Sequence, residues 1–185
     1  MRDFAFISAK GKRALVRLGV SVDPYDRESG GIGSDVHYEG VEGLAWRAEG
    51  VGVEKHFGCP IYAYPSPDMA YVVVVFCKDY PTGYAPPNNA LVLNADGSIR
   101  LHVKQPSRYA GKPSEFYDAW WYELEIPRPR EPSWLFWSRP ALPRTKTRMK
   151  MLILPYRGNP TGEFEALDFD PASGEFGELV DSGRL

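Results

Sequence analysis

Four consecutive valines, Val72, Val73, Val74 and Val75, lie inside the run MAYVVVVFC at residues 69–77. Side chains alternate between the two faces of a strand, so a strand with one wet face alternates apolar and polar residues. An unbroken β-branched run predicts instead a strand buried on both faces. The run is bounded by Asp68 and Lys78. It falls far short of the ~20 apolar residues of a membrane-spanning helix.

A hairpin follows it. Residues 90–103, ALVLNADGSIRLHV, are two apolar arms around Asn94-Ala95-Asp96-Gly97, and Asp before Gly marks a tight turn. On the second arm Ile99, Leu101 and Val103 alternate with Arg100, His102 and Lys104, which predicts a half-exposed strand. Residues 163–169 and 175–180 form a second hairpin signal around Asp170-Pro171-Ala172-Ser173-Gly174. Further strands are predicted at 4–8, 13–22, 59–65, 116–126 and 148–154. Residues 41–50, VEGLAWRAEG, fit either a short helix or part of a strand pair with glycine turns. Residues 23–35 and 78–89 read as loops.

The eighteen glycines and seventeen prolines favour many short elements over long helices. The expected fold is mainly β: a twisted antiparallel sheet or sandwich of eight to ten strands with few short helices, and α+β as the alternative. At 185 residues, with no linker between separate cores, one β-rich domain over 1–185 is expected. Residues 127–145 interrupt it. Pro127, Pro129, Pro132, Pro140 and Pro143 preclude a regular helix there and predict an extended arm, pinned by Trp134, Leu135, Phe136 and Trp137.

Chemistry-bearing patterns are sparse. His37, His56 and His102 are scattered, without the spacing of a metal site. No phosphate-binding glycine loop is present, and no GxSxG elbow surrounds a serine. Cys59 and Cys77 are too few for a disulfide scaffold; beside His56 either offers a formal thiol–imidazole pair. Glu123 with Glu125, and Asp168 with Asp170, pair carboxylates on one strand face. Such pairs serve hydrolases and nucleases, and more often form the solvated face of a strand. No cofactor, catalytic residue or metal ligand is assigned. The N-terminus MRDFAFISAKGKR lacks the apolar core of a secretory leader, so a soluble cytoplasmic protein is expected.

Charge is strongly sorted. The net charge is −2, yet residues 128–157 hold eight arginines and lysines against Glu131 alone. Residues 158–185 hold seven carboxylates against Arg184 alone. The two groups can pair on one surface. Arginine and tryptophan interleaved in the basic stretch are also the residue types that dominate protein hot spots. Arg128, Arg130, Trp134 and Trp137, with Arg139, Arg144, Lys146 and Arg148, are therefore the candidate partner-binding residues. The same composition suits nucleic acid less well, because the acidic segment repels phosphate.

In Asn88-Asn89-Ala90, the Asn94 to Gly97 turn and the Asp170-Pro171…Gly174-Glu175 turn, the chain resembles small bacterial immunity-type proteins that neutralise secreted toxins. The resemblance implies a non-catalytic protein that binds another protein and blocks it. Alternatives are a hydrolase or nucleic-acid-processing enzyme whose carboxylates assemble in the fold, and a nucleic-acid-binding protein. A protein partner is expected, with neither membrane nor nucleic acid as the primary contact.

Overall fold

The structure, a computed structural model, describes residues 1–15, 40–66, 68–125, 145–155 and 162–184; for residues 118, 120–125 and 145–147 it describes the backbone alone. The chain is mainly β. Among the described residues there are twelve strands and a single 3₁₀ turn, Ser107–Tyr109. The strands exceed the expected eight to ten, and the α+β alternative is not what these residues form. Three antiparallel sheets of four strands each make up the fold.

The first sheet is ordered β2-β1-β3-β4, from β1 (Arg2–Ser8), β2 (Arg13–Leu15), β3 (Val41–Ala48) and β4 (Val51–His56). The stretch with two readings is thus a strand pair. Its turn, Glu49-Gly50, has φ of 50° and 85°. A two-residue turn with both residues left-handed twists as its flanking strands do. Leu44 and Trp46 point inward at strand spacing, and this burial overrides the helical pattern.

The central sheet runs β5-β6-β7-β8, from β5 (Ile61–Pro65), β6 (Tyr71–Phe76), β7 (Ala90–Asn94) and β8 (Ile99–His102). The third sheet runs β12-β11-β10-β9, from β9 (Glu115–Glu125), β10 (Thr145–Leu154), β11 (Glu163–Asp170) and β12 (Glu175–Arg184).

Two cores lie on opposite faces of the central sheet. Val72, Val74 and Phe76 of β6 join Leu91 and Leu93 against Phe4, Phe6, Leu44 and Trp46 of the first sheet. Val73 and Val75 join Ala90 and Val92 against Phe116, Met149, Met151, Ile153, Leu167 and Phe169 of the third. The four valines are fully buried, alternately in one core and the other. β5 obeys the same alternation: Ile61 and Ala63 face the first sheet, Tyr62 and Tyr64 the third.

Polar staples fix the stacking of the layers. The buried Asn89 amide donates to the Phe76 and Phe116 carbonyls (2.9 and 2.7 Å), and its carbonyl accepts the Phe116 amide (3.0 Å). Trp46 Nε1 donates to the Ala95 carbonyl at 2.6 Å, tying the first sheet to the β7–β8 turn. Gly97 in that turn has φ of 83°, and a Cβ there would lie 2.6 Å from Val53. Only glycine lets the turn close against β4.

Two predictions follow from this layering. Val73→Ala and Val74→Ala should each destabilise the protein, by about 2 kcal/mol in denaturant unfolding, because each opens a different sealed core. A near-neutral result for either would mean one face of the central sheet is wet. Asn89→Ala should cost at least about 2 kcal/mol, because it strips buried backbone groups of their partners. A loss below about 0.5 kcal/mol would refute that role.

Candidate protein-binding surface

With the valines committed to two cores, contact with a partner falls to the outer faces and margins. Arg128, Arg130, Trp134, Trp137, Arg139 and Arg144 lie outside the described residues, as does the arm expected at 127–145 except for residue 145, which begins β10. Lys146 lies on β10 opposite Leu124, and Arg148 opposite Tyr122. Arg148 is ion-paired with Asp168 of the neighbouring β11, a carboxylate only 7% exposed. Lys150 Nζ reaches Asp181 of β12 at 3.2 Å. The sorted charge of the sequence is thus partly reconciled here, basic β10 against acidic β11 and β12.

Asp168 and Asp170 take separate structural roles, and the side chains of Glu123 and Glu125 lie outside the described set. Asp168 is spent on Arg148 and packs against the backbone of Gly177. Asp170 organises its own turn: Oδ1 accepts the Ala172 amide and Oδ2 the Ser173 hydroxyl, both at 2.9 Å. His102 belongs to the central sheet, where it stacks on Tyr84 at 5.3 Å. Among the described residues no three of His, Cys, Asp and Glu converge as a metal site requires.

The Cys59 thiol is equally unlike a nucleophile. Cys59 is buried, and that burial pushes its thiol above the ordinary range, opposite to activation. His56 is engaged elsewhere, its Nε2 lying 2.8 Å from Glu54 Oε1. Arg13 Nη2 also binds Glu54, at 2.5 Å, so the bridge runs from β2 to β4 across β1 and β3. The rows it crosses hold Ile7 and Gly43 beside Arg13, and Ala5 and Ala45 beside Glu54.

The exposed face of β8 is half used for structure. Arg100 Nε donates to the Ala172 carbonyl at 2.8 Å, and its guanidinium lies 4.9 Å from the Tyr71 ring centre. Leu101 packs on Gly174. These contacts latch the β11–β12 turn onto the central sheet. Tyr109, also buried, donates its hydroxyl to Glu165, which Arg108 binds at 2.8 Å. Burial, then the Glu165 carboxylate, raise the Tyr109 hydroxyl far above its usual range, so it stays a donor.

The third sheet's margin is the part that residue patterns least revealed. β12 extends to Arg184, beyond the arm expected at 175–180, and all its residues except Phe176 are exposed. Leu179 and Val180 are 48% and 39% exposed. Only the absence of proline and lysine from EFGELVDSGR hinted at an unguarded edge.

The fold is similar to that of a chain in the structure of Tne2 in complex with Tni2, with a TM-score of 0.57. The match covers 96% of this chain and 96% of that one at 14% sequence identity. At that identity the likeness is one of fold. No family model matches the sequence, and no curated protein matches it.

The Glu54 cluster yields a pH prediction. The His56 hydrogen bond, with Arg13 beside it, holds the Glu54 carboxyl below its ordinary 4.5. A depressed carboxylate stabilises the fold above its unfolded-state value and loses that contribution as pH falls through its folded value. His56→Ala should move the Glu54 midpoint up towards 4.5 in a carboxyl NMR titration. An unmoved midpoint would show that His56 contributes nothing there.

Proposed function

We propose that the chain is a non-catalytic protein-binding module, and more narrowly an immunity-type protein that binds a toxin and blocks it in the cytoplasm of a bacterial cell. One observation carries this reading: the fold is similar, across almost its whole length, to a chain solved in a complex of two proteins, Tne2 with Tni2. The turn residues that resemble immunity-type proteins agree with it. So does the layout of the molecule. Asp168 and His102 are committed to separate structural contacts, which weakens the hydrolase alternative. Acidic strands beside β10 weaken a phosphate-binding one.

The arginine- and tryptophan-rich residues from Arg128 to Arg148 are the proposed contacts on the basic side. Tryptophan and arginine supply large desolvated area and directional donors, which is why they dominate hot spots.

Co-expression with the product of a neighbouring toxin gene tests the reading. Expected are rescue of growth and a stoichiometric complex on gel filtration. Replacing Trp134 and Trp137 with alanine should weaken that complex by about 2 kcal/mol or more. Unrelieved toxicity with no complex would overturn the proposal, and a labelled RNA or DNA retarded at physiological salt would favour the nucleic-acid alternative.

A further inference from the structure

We propose that β12 is an edge on which a partner protein docks, and that the partner presents a basic, extended segment to it. This rests on the protein-binding reading above and adds the place and the chemistry. An edge strand leaves alternate backbone N–H and C=O groups without a sheet neighbour, and natural sheets guard such edges. Here β8 is only four residues long, and β2 runs into residues outside the described set. β5 is bounded by Pro60 and Pro65, and β4 carries Lys55. β9 runs into residues outside the described set. β12 has ten residues, no proline and no lysine, and carries Leu179 and Val180 exposed at its middle.

Its charge names the occupant. Among the described residues Glu175 and Glu178 form no ion pair, whereas Asp181 is held by Lys150 at 3.2 Å and Arg184 by Glu163 at 3.4 Å. Among the described residues, the charge on this strand left without an ion pair is negative and adjoins the apolar pair. In a second copy, antiparallel self-pairing centred between Leu179 and Val180 sets Glu178 opposite Asp181 twice, like charge on like, and Glu175 opposite Arg184 twice, so charge gives self-pairing no net advantage. A strand alternating basic and apolar side chains meets both features.

Two irregularities in the pairing with β11 bend β12, one between the pairs Ala166↔Asp181 and Leu167↔Leu179 and one between Leu167↔Leu179 and Phe169↔Phe176. Such bulges twist an edge away from indiscriminate stacking. They leave Asp181 to Arg184 in regular register with β11. Beside that end lies an open groove of about 370 Å³, walled by Phe164, Gly183, Glu163 and Pro155. It can seat one long side chain of the added strand. Short backbone pairing gives orientation, and side-chain pockets give selectivity, as in strand addition elsewhere.

The probe is a fluorescent peptide of about ten residues alternating lysine and valine, long enough to span β12. Its counterpart alternates glutamate and valine. Anisotropy should rise saturably with the first and not the second. The double variant Glu175→Lys, Glu178→Lys should weaken binding by about tenfold or more with an unchanged unfolding midpoint. Equal binding of both peptides, or no effect of the double variant, would overturn the proposal. So would a dimer in sedimentation that the double variant abolishes, which would make the occupant a second copy. If the co-expressed complex forms yet the peptide does not bind, this edge is refuted and the wider reading stands. If the peptide binds and no complex forms, the edge stands and the wider reading falls.

Discussion

Burial of the central sheet on both faces is the constraint on which the other layers depend. Val72 and Val74 are sealed by Phe4, Leu44 and Trp46, and Val73 and Val75 by Met149, Met151 and Phe169. Neither outer sheet could keep its apolar face dry without the middle one. Hydrophobic burial supplies the drive but no direction, since it scales with area and not with angle. Direction comes from a few polar contacts between layers: Asn89 between β6 and β9, Trp46 to the β7–β8 turn, and Arg100 to the β11–β12 turn. The Asn89 bonds are buried and the Trp46 bond partly so, and breaking them would strand polar groups in or near a core; the Arg100 bond is exposed and acts as a surface latch.

This arrangement limits where function can reside. Within the innermost sheet β6 and β7 have almost no free surface, and only β8 keeps exposed side chains. The outer face of the third sheet carries an ion-pair array in which β10 is neutralised by β11 and β12. The surfaces proposed for recognition are the margin of that sheet and the basic residues that precede β10 in the chain. Opposite charge at two places on one molecule suits orienting a protein partner more than gripping a polyanion.

Much of the architecture was legible in the residues. The unbroken valines announced a strand wet on neither side, and both Gly-closed turns were readable from local chemistry. Residues 41–50 were ambiguous because Val41, Leu44, Ala45 and Ala48 also share a helical face. Tertiary burial of Leu44 and Trp46 against the central sheet decides it, and sequence spacing carries no record of that. Asn89 could not be picked out, because its partners Phe76 and Phe116 are distant in sequence and only the stacking brings them together. Sorted charge was visible, but its pairing across β10, β11 and β12 depends on register. The place of β12 at the end of its sheet, among the described residues, is a property of strand order, at which the local residues only hint.

Amide hydrogen exchange, followed with and without the bound partner, tests the central claim most directly. Exchange separates segments that open only on global unfolding from those that open locally. The amides of Val72, Val73, Val74 and Val75 should be among the slowest in either state. Those of β12 should exchange quickly in the free protein and slow markedly in the complex. Protection of β12 equal to that of the valine strand before binding, or no change on binding, would contradict the account.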